Sequence, residues 1–145
     1  DGYPPPSLLL SLPRHTPEAL HSLKWRCLMI SAIHSALSGL AAYAKQVEVT
    51  ANNVANVNTD GFKNSHTEFV SVETGGVLPV VRKDDSAGPT VLSDRGQGPT
   101  QMELSNVDLG EETINQILAQ REFEANIHTL QTADDMLGTV LDMKK

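Results

Sequence analysis

The spacing of apolar residues in the first half of the chain predicts a long helix. Apolar side chains recur in steps of three and four residues, at Ile30, Ile33, Leu37, Leu40, Ala44, Val47, Ala51 and Val54. This series matches the a/d seam of a heptad repeat, and it does not fit the two-residue period of a strand. Because the seam is narrow and partly built from alanine, it needs a partner helix to bury it. The asparagines and the Asp60-Gly61 turn that follow predict a helix end near Asn58, with Gly61 in a left-handed conformation.

A second apolar face lies at the other end of the sequence. Ser105, Asn106, Val107 and Asp108 supply several possible N-caps, and acidic residues follow in the first predicted turn. The apolar positions of this second helix are Ile114, Ile117, Leu118, Phe123, Ile127, Leu130, Leu137 and Leu141. Two long helices at opposite ends of the chain can pair as an antiparallel or bent hairpin.

Residues 64–104 change character. Short apolar runs at 68–72, 77–82 and 90–92 are separated by glycine-rich turns, which is typical of a small β or loop insert. Pro79 lies inside the second run and restricts it to an edge strand or an irregular extended piece. The predicted fold class is mainly α, with long N- and C-terminal helices forming a coiled-coil-like pair that a small β/loop insert joins.

The first 28 residues differ from the rest. Prolines at positions 4 to 6 and 13 favour extended conformations, and a short helix can begin at Thr16 and Pro17. Met29 immediately precedes the heptads, so residues 1–28 are interpreted as a disordered or non-native extension, with a genuine N-terminal arm as the alternative. The predicted segments are 1–28, the N-terminal helix and asparagine-rich motif at 29–63, the insert at 64–104 and the C-terminal helix at 105–145.

Composition narrows the function. The formal net charge is −7 in 145 residues and no run of Lys or Arg exceeds a pair, which disfavours nucleic acid and anionic membrane surfaces as partners. No apolar run approaches 18 residues, so membrane insertion is not expected. The single cysteine, Cys27, cannot form an internal disulfide.

Candidate chemistry is sparse. The five histidines do not pair with each other or with Cys at the spacing of metal ligands on a helix, so no metal or other cofactor is predicted. The adjacent carboxylates at 111–112 and 134–135 point to different sides of a helix and are interpreted as solubilising charges. Ser65-His66 lacks a third, orienting group. The sequence argues against an enzyme.

Two features of the first helix leave alternatives open. Four asparagines at 52, 53, 56 and 58 either cap the helix and form its turn, or hydrogen-bond neighbouring subunits and fix helix register. A belt of small residues around Gly39 either permits close approach of another backbone or is simply tolerated in an alanine-rich helix.

These stretches also carry a family resemblance. The run from Ser35-Ala36-Leu37-Ser38-Gly39-Leu40 through Ala51-Asn52-Asn53-Val54-Ala55-Asn56-Val57-Asn58-Thr59-Asp60-Gly61-Phe62-Lys63 resembles the N-terminal signature of bacterial flagellar basal-body rod and hook proteins. The runs 105–109, 120–126 and 132–137 resemble that family's C-terminal motif. The short insert makes the chain most similar to a small proximal-rod protein of the FlgC type.

The resemblance implies a structural subunit of the flagellar rod. Such a subunit is exported by the flagellar type III apparatus without a cleaved signal peptide, and it polymerises through its terminal helices into the periplasmic drive shaft. Its partners would be copies of itself, other axial subunits and the export apparatus. The rival hypothesis is a soluble coiled-coil binding module or an export adaptor resembling a chaperone. The predicted assembly interface consists of Leu37, Gly39, Leu40, Val47, Asn52, Asn53, Val54, Asn56, Asn58, Ile117, Gln120, Arg121, Asn126, Leu130, Leu137 and Leu141.

Overall fold

The computed structural model describes residues 17–73, 75–94 and 98–142, with side chains from residue 28 onward. Along the chain the elements are α1 (Pro17–Ala55), β1 (Ser65–Ser71), β2 (Val77–Lys83), β3 (Thr90–Asp94), β4 (Pro99–Glu103) and α2 (Leu109–Asp142). Strands β1 and β2 form one antiparallel two-stranded sheet, and β3 and β4 form another.

The predicted mainly α class is wrong. The insert is not a minor irregular piece but two regular hairpins, so the chain combines two helices with two antiparallel sheets. The three predicted β segments all lie in strands, whereas β4 was missed because Gly98-Pro99 suggested a turn. Pro99 is the first residue of β4, a position where a strand tolerates the missing N–H donor.

Helix α1 is longer than the predicted one. It runs without interruption from Pro17 to Ala55, so the predicted boundary at residue 29 falls inside it. The predicted extension at residues 1–16 lies outside the described residues. After Ala55 the chain tightens into turns, and Gly61 has φ of 67°, which confirms the predicted left-handed position.

The β1–β2 hairpin packs on α1. The rings of Tyr43 and Phe69 meet edge to face, with centroids 5.1 Å apart. Ser38 Oγ accepts the Val77 N–H at 3.1 Å and so fixes the far end of the hairpin to the helix. The β3–β4 hairpin, in contrast, packs against no other described helix or strand and is joined to them through loops.

Helix α2 begins at a well-formed cap. Asp108 Oδ1 accepts the N–H groups of Gly110 and Glu111 at 2.8 and 3.2 Å, so Asp108 is the N-cap among the four candidates. Helix α2 then packs along α1, and this helix pair provides most of the buried surface. The buried apolar residues are small: Ala36, Ala42, Val49, Ala119 and Ala133.

Candidate assembly interface

The predicted apolar seam of α1 lies on the surface of the protein. Ile30 is 62% exposed and Leu37 is 52% exposed, and Val47 and Val54 are also exposed. Leu40 is half-buried. A seam of this kind is marginal in water, because large apolar side chains gain stability only when another surface covers them. The structure therefore leaves this seam uncovered within one subunit.

A different face of α1 contacts α2. The buried positions of α1 include Ala36, Gly39, Ala42 and Asn53. At 100° per residue these positions lie roughly 150° around the helix from the middle of the seam. The two helices do pair, but they do so through small and polar residues. The large apolar residues of the predicted seam stay outside.

Close approach of the two helices occurs at Gly39. A Cβ atom on Gly39 would lie 2.9 Å from Oδ1 and 3.1 Å from Cγ of Asn126, so the Asn126 amide occupies the space that a side chain would need. Asn126 is held there by its own helix, since its Nδ2 donates to the Glu122 carbonyl at 2.8 Å. The small residue at 39 thus permits close approach. The structure brings these two predicted interface residues together inside one subunit.

A polar clamp formed by Asn53, Ser65 and Glu112 joins α1, β1 and α2. Asn53 is 1% exposed, and its Nδ2 donates to both Ser65 O and Glu112 Oε1 at 2.6 Å. Its Oδ1 accepts the Ser65 N–H at 3.0 Å. Glu112 is 6% exposed, so the interpretation of this carboxylate as a solubilising charge is wrong. A buried carboxylate needs a donor, and Asn53 supplies it.

The two contacts define how the helices run. From Gly39 to Asn53 the chain advances 14 residues along α1, and from Asn126 to Glu112 it goes back 14 residues along α2. Equal steps in opposite directions mean that the helices are antiparallel and in register. Spacings of seven along the inner face of α2, at positions 112, 119, 126 and 133, show the same coiled-coil period.

A second polar cluster, the loop junction, ties together the segments 61–64, 84–88 and 103–106. Lys63 Nζ donates to Glu103 Oε1 at 2.5 Å and to Ser86 O at 2.6 Å. The same Glu103 oxygen accepts the Gly88 N–H at 2.7 Å. The Lys63 ammonium and the Gly88 N–H hold the pKa of Glu103 below its ordinary value.

Asn106 is the other centre of the loop junction. Its Oδ1 accepts the Asn64 N–H at 2.7 Å, and its Nδ2 donates to the carbonyl oxygens of Asp84 and Ser86 at 3.1 and 3.2 Å. The backbone adds a bond from Gly61 N–H to Glu103 O at 2.8 Å. These bonds fix the point at which the chain leaves α1 to the point at which it enters α2.

Both ends of the chain match models of flagellar proteins. Residues 33–63 match the family described as flagella basal body rod protein. Residues 100–143 match the family described as flagellar basal body rod FlgEFG protein C-terminal. The chain belongs to the flagellar rod and hook protein family. The matched segments contain both clamp helices, and they also contain the loop-junction residues Lys63, Glu103 and Asn106.

Individual members of the rod and hook family are similar over parts of the chain. The hook protein FlgE of Escherichia coli is 35% identical over 65 residues, which are 41% of this chain and 16% of FlgE. The basal-body rod protein FlgG of Bacillus subtilis is 28% identical over 107 residues, 74% of this chain and 37% of FlgG. FlgG of Borreliella burgdorferi is 43% identical over 44 residues, 30% of this chain and 17% of that protein. The chain therefore spans well under half the length of these relatives. The FlgC type is not confirmed.

The predicted interface residues separate into two groups. Gly39 and Asn53 of α1 and Asn126 of α2 lie at contacts within the subunit, and Leu130 and Leu137 are half-buried on the inner face of α2. Asn56 supports the helix end, because its Nδ2 donates to the Asn52 carbonyl at 2.9 Å. The exposed members of the predicted set are Leu37, Val47, Asn52, Val54, Asn58, Ile117, Gln120, Arg121 and Leu141.

Several functional residues were missed from the sequence. Glu112 is the clearest case, and its place in the seven-residue series that continues through Ala119 and Asn126 was the available signal. Lys63 and Asn106 were recognised only as parts of motifs. Their partners Ser86 and Glu103 are 20 or more residues away, and no local pattern links them.

The described residues show little capacity for other chemistry. Among residues 17–73, 75–94 and 98–142, no group of three His, Cys, Asp or Glu side chains is placed to hold a metal ion. Neither described helix combines the length and the apolar character needed to cross a membrane.

Proposed function

We propose that the protein is a structural subunit of the bacterial flagellar basal-body rod, and not an enzyme. In this proposal the subunit polymerises with copies of itself and with other axial subunits in the periplasm, after export by the flagellar type III apparatus without a cleaved signal peptide. Membership of the rod and hook family supports this role. The observation that carries it is the uncovered apolar seam of α1.

The seam supports assembly because of its contrast with the rest of the subunit. Large apolar residues at Ile30, Leu37 and Val47 stay exposed, while the helix pair within the subunit is already complete without them. Ile114, Ile117 and Leu118 form a second exposed apolar group near the start of α2. Exposed apolar surface of this extent marks a protein contact, and a contact that repeats without closing builds a filament.

The test is genetic complementation. A strain that lacks the gene would be supplied with the wild-type chain or with Leu37→Asp, and swimming and basal-body assembly would be scored. We expect Leu37→Asp to abolish both, because a carboxylate cannot be buried without a partner in a subunit contact. The matched control is His34→Asp, which adds the same charge at another exposed position of α1. This variant should assemble.

Two measurements separate assembly from folding. Circular dichroism of the purified Leu37→Asp chain should match the wild type, because Leu37 is half exposed in the subunit. Sedimentation of the wild-type chain should show monomers that give way to long polymers with rising concentration. A stable dimer that does not grow, or motility restored by Leu37→Asp, would contradict the proposal and favour a binding module.

A further inference from the structure

A polar cavity lies beside the clamp and is not used by it. It has a volume of about 330 Å³, is bounded by α1, β1 and the first turns of α2, and opens to solvent near the exposed His66 and Glu111. Its walls are almost entirely polar. The side chains that matter below are Asn64, Thr67, Asp84, Glu111 and Glu112.

Two side-chain atoms on these walls lack a partner in the protein. Asn64 Oδ1 and Thr67 Oγ1 are buried, and neither makes a hydrogen bond to another protein atom. Buried polar atoms are nearly always paired, so an unpaired pair in one cavity indicates that something else fills it. The amide oxygen can only accept, and its missing partner is therefore a donor.

The charges on the walls specify the kind of donor. Asp84, Glu111 and Glu112 bring three carboxylates to the cavity. His66 is the one basic side chain on its walls, and its ring already lies 3.6 Å from Glu68. A cation that donates several hydrogen bonds at once fits these walls. A metal ion fits poorly, because no three His, Cys, Asp or Glu side chains in the described part of the chain are placed to hold one.

We propose that this cavity receives the guanidinium group of an arginine from a neighbouring axial subunit. A guanidinium presents five N–H donors in a planar fork, which can serve a carboxylate and the Asn64 and Thr67 oxygens together. The net charge of −7 makes two subunits of this chain repel each other, and a basic side chain at this point opposes that repulsion. The identity of the donor as a neighbour's side chain rests on the proposed function, whereas the chemistry of the cavity does not.

The first test uses the whole chain and two small probes. Ethylguanidinium and its neutral analogue ethylurea would each be titrated to about 50 mM at constant ionic strength, with amide chemical shifts followed by NMR. We expect saturable shifts at Asn64, Thr67 and Glu112 with ethylguanidinium and much weaker ones with ethylurea. Equal responses to both probes, or no saturation with either, would overturn the guanidinium assignment and leave water as the occupant.

Two variants sharpen this result. Glu111→Gln removes one carboxylate at the mouth of the cavity without touching the clamp, and it should weaken ethylguanidinium about threefold, as expected for one nearby charge in a solvated site. Glu73→Gln removes the same charge at the far end of the β1–β2 hairpin and should leave binding within about 1.5-fold. Equal affinities in the two variants would contradict a site at this cavity.

A second test addresses the neighbour. Incorporation of Glu111→Gln and Glu73→Gln subunits into basal bodies would be compared in the complemented strain, and only the first should fall. If ethylguanidinium binds but both variants incorporate like the wild type, the cavity does not hold a neighbour's arginine. If the wild-type chain itself fails to enter basal bodies, the proposed function fails while the binding result for the isolated chain stands.

Discussion

The two sides of helix α1 differ in how they achieve stability. The inner side packs small and polar residues against α2 and β1, and at Asn53 each listed polar contact has a good hydrogen-bonding distance. The outer side carries the larger apolar residues and leaves Ile30 and Leu37 more than half exposed. In most single domains the large apolar residues form the core. Here geometry holds the subunit together, and the surface with the most apolar area left to bury remains available to partners.

The largest expected effect comes from breaking the clamp. Asn53→Ala removes three hydrogen bonds and leaves the buried Glu112 carboxylate without its amide donor. We expect the free energy of unfolding, measured in urea, to fall by about 3 kcal/mol. The matched control is Asn52→Ala at the adjacent exposed position, which should change it by about 0.5 kcal/mol or less. Equal losses in the two variants would show that the inner side does not depend on this clamp.

A somewhat smaller effect is expected from separating the helices. Gly39→Leu inserts a side chain where the Asn126 amide lies, and overpacking of this kind costs about 1–3 kcal/mol. Gly138→Leu on α2 is the control, because no atom lies within 4 Å of a Cβ at that position. This second change should stabilise the chain slightly, since leucine has the higher helix propensity. Destabilisation by both variants to the same extent would mean that the helices do not meet closely at Gly39.

The smallest effect concerns pH and the loop junction. The pKa of Glu103 is lowered by Lys63 and by the Gly88 N–H, so the folded state favours the ionised carboxylate more than the unfolded state does. The stability that this group contributes is present above about pH 4.3, the ordinary pKa of a glutamate, and is lost as the pH falls through the lowered value. Glu103→Gln should therefore flatten the loss of stability on the acid side.

The measurement for Glu103→Gln is urea unfolding from pH 7 to pH 3, with Glu73→Gln as the control. Glu68 and Asp84 also have lowered pKa values, so part of the acid dependence should remain in the variant. An unchanged pH profile in Glu103→Gln would show that the loop junction contributes nothing to stability.

The sequence predicted the elements better than it predicted which faces pack together. The periodicity identified both helices, the left-handed Gly61 and three of the four strands, because these depend on neighbouring residues. It failed to show which face of α1 is buried, since hydrophobicity alone points to the Leu37 face. The buried face is recognisable only from the contacts of Gly39 with Asn126 and of Asn53 with Glu112, which join residues 59 or more positions apart.

The 14-residue interval between Gly39 and Asn53 has a mechanical consequence. A packed helix pair held only by apolar contacts can slide by a turn, because one leucine replaces another at little cost. Here the Asn126 amide over Gly39 and the Asn53–Glu112 bond stand about 21 Å apart along the helices, and both must break before either helix can shift. In a shaft that transmits torque, load applied to one helix would pass directly to the other, and the subunit would resist shear as a single strut.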